Sequence, residues 1–113
     1  MGDIVVLKLI YSSYESYKLR PVMILADVSK KDVIVCKISS KSQISKYEIK
    51  INQSSLKEGK IKKESFIHLH SIYTVEKSLI YKTIGKLTST KIEEIKEKLK
   101  GLFNITSHSS YSP

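Results

Sequence analysis

The sequence predicts a small, mainly β fold: a strongly bent sheet or barrel capped by one helix near the C-terminal end. Three observations carry that expectation. Short apolar or alternating runs recur between Ile4 and Leu87, separated by polar turn clusters, as strands are. A single later run repeats at helical spacing instead. The 113 residues suffice for one domain with one core, and neither an internal repeat nor an interdomain linker interrupts them.

Ile4 to Ile10 is apolar and β-branched and reads as the first strand. Tyr11 to Leu19, rich in tyrosine and serine, reads as a loop or wide hairpin connection. Pro21 opens a second buried strand, Val22 to Leu25, because proline is tolerated at a strand's first residue. Val28 to Asp32 carries turn chemistry, and Val33 to Ile38 forms a third strand antiparallel to the second. Tyr47 to Ile51 alternates, with Tyr47, Ile49 and Ile51 on one side and Glu48 and Lys50 on the other. Ser54 or Ser55 is placed to cap a single helical turn ended by Gly59. Ser65 to Ile72 reads as a strand in which Phe66 and the histidines alternate against Ile67 and Leu69, and Tyr81 to Leu87 as a short final strand. Ile92, Ile95, Leu99 and Leu102 then mark one face of a helix, with Thr90-x-x-Glu93 as its capping box and Gly101 near its end.

Lys and Arg number 20 against 11 Asp and Glu, a formal net charge of +9. Such a surface steers and holds polyanions, either nucleic acid or anionic membrane; a merely Lys-rich surface is the plain alternative. Cys36 is the single cysteine, so no internal disulfide forms and a reducing compartment is expected. Inside Val33-Ile34-Val35-Cys36 it reads as a small buried hydrophobe rather than a nucleophile. Met1-Gly2-Asp3 puts an acid where a secretory signal needs a basic segment. No apolar stretch approaches the ~20 residues of a membrane span. The expectation is a soluble, cytoplasmic protein with no membrane association.

Four constellations are candidates for chemistry. Glu15 to Pro21 is a loop that ends in Arg20 at the threshold of a buried strand. Arginine is a rigid five-donor fork suited to phosphate. Glu15 adds a carboxylate that acts as a base or holds Arg20; a surface salt bridge is the other reading. Ser39-Ser40 directly follows a strand and precedes Lys41 and Ser42. Its hydroxyls suit a phosphate oxygen, although serine clusters are more often turn formers. His68-Leu69-His70 sets two imidazoles on one strand face. Two ligands make no zinc site, no cluster of Asp, Glu or Cys completes them, and no metal is expected. Finally, Tyr11, Tyr14, Tyr17 and Tyr47 are interleaved with Lys8, Lys18, Arg20 and Lys46. Aromatics among cations suit unpaired bases stacked beside a phosphate track; core filling and dimer contacts are the alternative.

Read together, these segments resemble one family, the MazF/PemK toxins of toxin–antitoxin pairs. The likeness runs through Gly2-Asp3-Ile4-Val5, Leu19-Arg20-Pro21 with the apolar strand after it, and Val33 to Ser40 with its serine end. It continues through Lys63 to Ile67, Ile72 to Lys77, Ile84 to Leu87 and the helix. It covers about residues 1–103, the expected toxin domain, and leaves 104–113 as a polar, flexible tail.

The resemblance implies an SH3-like β-barrel with a C-terminal helix, a homodimer, and cleavage of single-stranded RNA without metal or other cofactor. In such a reaction the RNA's own 2′-hydroxyl attacks the adjacent phosphate and leaves a cyclic phosphate. Arg20 matches the family's arginine, which stabilises charge; Ser39, with Ser40 beside it, matches the hydroxyl donor; Glu15 is the base or the group that orients Arg20. Tyr14, Tyr17, Lys18, Lys41, Lys46, Tyr47 and His70 are the expected RNA contacts. Two departures are Tyr73, where the family often carries a basic residue, and His70, where an acid or amide is usual. A cognate antitoxin with an acidic tail is the implied protein partner. Two rivals stand beside this reading: a CcdB-like toxin that inhibits DNA gyrase by protein binding, and a module that grips RNA without cutting it.

Overall fold

The structure, a computed structural model, describes residues 1–10 and 16–105. Its elements are β1 (Asp3–Ile10), β2 (Tyr17–Asp27), β3 (Asp32–Ser39), β4 (Glu48–Ile51), β5 (Leu56–Gly59), β6 (Ser65–Glu76), β7 (Ile80–Leu87) and α1 (Ser89–Leu102). The strands pair antiparallel throughout, in the order β4-β6-β3-β2-β1-β7-β5. The two edge strands, β4 and β5, are consecutive in the chain and joined through a short 3-10 turn, Gln53–Ser55. That link draws the ends of the sheet together, so the sheet curls into the expected small SH3-like barrel with its C-terminal helix. Among the described residues no helix is long and apolar enough to cross a membrane.

Alternation along the strands builds two apolar faces. One collects Ile4, Met23, Cys36, Ile38, Ile49, Ile51, Ile67 and Leu69. There α1 docks: Ile95 is fully buried, and Ile92, Leu99 and Leu102 pack at the margin. The other face gathers Val5, Leu7, Val22, Val33 and Val35, flanked by Leu9, Ile24 and Val75. Burial on both faces is the reason β1 and β3 are such continuous apolar runs.

Several local expectations are corrected. β2 starts at Tyr17, so part of the expected loop is strand and Pro21 lies inside β2, opposite Val6. Tyr17 to Met23 pair with β1, but pairing with β3 begins only at Val22. The proline thus sits in a stretch with one neighbouring strand, where a missing N–H disrupts least. The 3-10 turn is capped by Asn52, whose side chain accepts the Ser54 amide at 3.0 Å, while Ser55 Oγ accepts the Asn52 amide at 3.1 Å. Helix α1 is capped by Thr88, not Thr90, with Oγ1 accepting the Lys91 amide at 3.2 Å. Gly101 lies near its end, as expected, and the residue that turns the chain out of the helix is Asn104 (φ 56°). The Ile105 amide reaches Lys100 O at 2.8 Å and the Asn104 amide Gly101 O at 3.3 Å, a Schellman closure around a left-handed asparagine. The tail from residue 106 lies outside the described residues.

Gly59 does not end a helix; it closes β5 at φ 90°. A Cβ there would lie 2.1 Å from Ile84 O across the β5–β7 pair. Gly59→Ala therefore combines a disfavoured backbone with a backbone clash, and is expected to lower stability by roughly 1–3 kcal/mol in denaturant unfolding. A midpoint equal to wild type would mean that β5 is not held against β7 in this way.

Candidate functional site

Where β2 and β3 part, the second apolar face opens into a cleft of about 790 Å³. Pairing between these strands runs up to Val22↔Lys37. Carried two residues further, that antiparallel register sets Arg20 against Ser39, so both stand at the mouth where the strands diverge. Ser40, Lys37, Lys63 and Tyr73 join them in the lining, over an apolar floor that includes Leu7 and Val35. Among the described residues the lining holds three cations and no carboxylate. Such a site attracts a polyanion at its rim and accepts flat apolar groups at its base.

Each candidate group has a local reason for its place. Arg20 pairs across from Leu7 on β1, one residue before the proline, and its side chain is exposed. Ser39 ends β3, and its Oγ accepts the Lys41 amide at 3.1 Å. This turn occupies the oxygen as an acceptor and leaves the O–H free to donate.

The other sequence candidates fall elsewhere. Glu15 and Tyr14 lie outside the described residues. Tyr17 and Lys18 stand at the start of β2, where the Lys8 ammonium sits 4.5 Å from the Tyr17 ring centroid. Lys41 follows the serine pair. Lys46 and Tyr47 end the same loop, with Lys46 Nζ 5.1 Å from the Tyr47 ring. His70 is exposed on β6. These six residues do not line the cleft. Lys37 and Lys63 do, and were not singled out from the sequence. Lys37 was recoverable, since it lies two residues before Ser39 on the same strand and so shares its face; Lys63 lies far away in sequence and carried no such signal.

The histidine pair departs from simple strand geometry. β3 meets β6 at Cys36↔Ile72 and next at Lys37↔His68, so Leu69, His70 and Ser71 are left out of that ladder. His68 is 0% exposed, whereas His70 faces out; their rings meet edge to face at 6.0 Å. His68 Nδ1 lies 3.6 Å from Glu48 Oε2, beyond a normal hydrogen bond, and neither ring nitrogen has a hydrogen-bond partner among the described residues. Burial lowers the His68 pKa from its ordinary value, with the Glu48 charge opposing. The Glu48 carboxyl is held low by the Ser42 hydroxyl first and also by the Gln43 amide, against the effect of desolvation. Burial pushes the Cys36 thiol up to about 12, which fits a packing residue and not a nucleophile.

A neutral buried His68 has a consequence for stability. The unfolded chain takes up a proton near the ordinary histidine pKa of about 6.5, while the folded chain resists it. The unfolded state therefore binds more protons as pH drops through that value, and stability falls with pH. Urea midpoints measured from pH 7.5 down to 5.5 are expected to decline, and to decline less steeply in His68→Gln. Equal slopes would mean that His68 takes up a proton in the fold as readily as in the unfolded chain.

Comparison with known proteins adds to this geometry. A profile of PemK-like, MazF-like toxins of type II toxin–antitoxin systems matches residues 1–103. Among curated proteins none matches the chain. Solved structures with the same fold include an endoribonuclease in complex with its cognate antitoxin from a mycobacterial species: 14% identity, TM-score 0.72, 95% of this chain and 96% of the other. The Mycobacterium tuberculosis toxin MazF-mt6 aligns at 17% identity and TM-score 0.69, over 90% and 98% of the two chains. A MazE–MazF structure from Deinococcus radiodurans aligns at 15% identity and TM-score 0.70, over 93% and 95%. At these identities the likeness establishes the fold.

Proposed function

The chain belongs to the PemK-like, MazF-like toxin family of type II toxin–antitoxin systems, and from that premise we propose that it is an endoribonuclease that cuts single-stranded RNA without a metal ion. The observation that carries this reading is the convergence of Arg20 and Ser39, with Lys37 and Lys63, on a cleft whose described lining has no carboxylate.

RNA brings its own nucleophile. A base takes the 2′-hydroxyl proton, the oxygen attacks the adjacent phosphorus, and the bond from phosphorus to the 5′-oxygen breaks. The departing oxygen gains a proton, and the products are a 2′,3′-cyclic phosphate and a 5′-hydroxyl. Negative charge grows on the non-bridging oxygens along this path. The Arg20 fork meets that charge with two parallel donors, and Lys37 and Lys63 supply further positive charge of the kind a metal would bring. Ser39 donates the hydrogen its turn leaves free, and Ser40 stands beside it. Glu15, five residues before Arg20, is the base or the group that orients the guanidinium.

Beyond the cleft, Tyr14, Tyr17 and Tyr47 stack bases while Lys18, Lys41 and Lys46 follow the phosphates, with His70 at the margin. The working unit is residues 1–103, followed by a polar tail, and it acts as a homodimer in the cytoplasm. An antitoxin with an acidic, partly disordered segment fits the cationic cleft and silences it by occupying the RNA path. The mycobacterial and Deinococcus neighbours, solved with their antitoxins, support that assignment.

The test is cleavage of a mixed-sequence single-stranded RNA in EDTA, with end-group analysis. Wild type is expected to leave cyclic phosphates, and Arg20→Ala to be slower by roughly 100–1,000-fold with RNA affinity largely kept. Folded wild type that cuts no RNA across a broad set of sequences, or an Arg20→Ala enzyme as fast as wild type, would sink the proposal.

A further inference from the structure

We propose that Glu48 is a positioning residue for the proposed cleavage: it grips the loop between β3 and β4 and so sets Ser39, Ser40 and Lys41 against the RNA phosphate. The inference rests on the ribonuclease reading above. With the sheet order β4-β6-β3, the chain must leave β3 at Ser39, cross the end of β6 and return at Glu48. A crossing without helix or strand needs a tether if the residues at its start are to keep a reactive geometry.

Glu48 supplies that tether. Its carboxylate accepts hydrogen bonds from the Ser42 hydroxyl and, at 2.8 Å, from the Gln43 amide. Ser42 Oγ in turn accepts the Ile44 amide at 3.0 Å, and the Glu48 amide reaches Ser45 O at 3.3 Å. At the other end, Ser39 Oγ accepts the Lys41 amide at 3.1 Å. Successive small turns thus run from the reactive serine to the carboxylate.

Two further observations mark the loop as held in place. Ile44 sits at φ 52°, a left-handed conformation that β-branched residues rarely adopt, and its side chain is 96% exposed. Packing of its own does not keep it there, so the hydrogen bonds around it must over-determine the backbone. Behind Glu48 lies the fully buried His68, with Nδ1 3.6 Å from the same Oε2 that holds Gln43. The charged groups that face this imidazole are Glu48 from β4, Lys37 from β3 and His70 from its own strand. A neutral ring on the inner side gives the carboxylate no strong donor, which leaves the loop as the direction in which its charge is satisfied.

The experiment measures kcat and KM for cleavage of a single-stranded RNA by wild type, Glu48→Gln, Ser42→Ala and Ser42→Thr, well below their melting temperatures. Ser42 is in an exposed loop, so its variants fold even if Glu48→Gln does not. Glu48→Gln is expected to lose roughly 10–100-fold in kcat and Ser42→Ala roughly 5-fold, each with KM within about two-fold; Ser42→Thr, which keeps the hydroxyl, stays near wild type. A wild type that cuts RNA beside Glu48→Gln and Ser42→Ala with unchanged kcat, or with losses confined to KM or to melting temperature, overturns the positioning role and leaves the nuclease reading intact. A wild type that cuts no RNA overturns both.

Discussion

A proline inside β2 governs where the inner strands of this barrel separate, and the cleft follows from that separation. Pro21 has no amide hydrogen to donate, so it is at home only where β2 has a single paired neighbour. On the β1 side the ladder continues past it; on the β3 side pairing is confined to Val22 and beyond. The strand ends therefore diverge at the height of Arg20 and Ser39. An arginine and a hydroxyl that would be ladder neighbours in a flat sheet become the two lips of a cavity.

Two apolar faces on one curled sheet explain why such an opening can persist. The face under α1 carries the larger core, with Ile95 and Leu69 at its centre, and holds the barrel together. The valine-rich second face has strands on one side and the cleft on the other, so its apolar floor reaches the rim. Lys37, Lys63 and Arg20 crowd that rim without a described carboxylate among the lining residues. Three cations of one sign attract a polyanion to that rim.

The loop across β6 lies beside a buried irregularity of the sheet. Three residues of β6 slip out of register with β3, and the slip turns His68 inward beside Glu48 while His70 stays in solvent. Glu48 is then bounded on one side by an imidazole that stays neutral and on the other by amide and hydroxyl donors from the loop. Ser42 and Gln43 are the donors that hold this carboxylate, so losing either removes a hydrogen bond from it.

Much of the architecture was legible in the sequence because it depends on local periodicity. Ile4 to Ile10, Val33 to Ile38 and the Ile92-Ile95-Leu99 stripe declare two strands and a helix through spacing alone. The candidate groups were equally legible, since Arg20 before a proline and a serine pair after a strand are local patterns. The sequence by itself thus determined the element types, the charge and the chemistry available. Tertiary structure alone decided which of those groups meet. Lys63 joins the cleft from a segment far from Arg20, His68 is buried by a register slip that no periodicity encodes, and Tyr17 to Arg20 became strand because β1 was there to pair with them. The N-cap moved by two residues, from Thr90 to Thr88, for the same reason: it was chosen by where the packed helix begins. Pairing partners and burial are long-range properties, and a one-dimensional pattern carries the preference of each residue but not the neighbour that satisfies it.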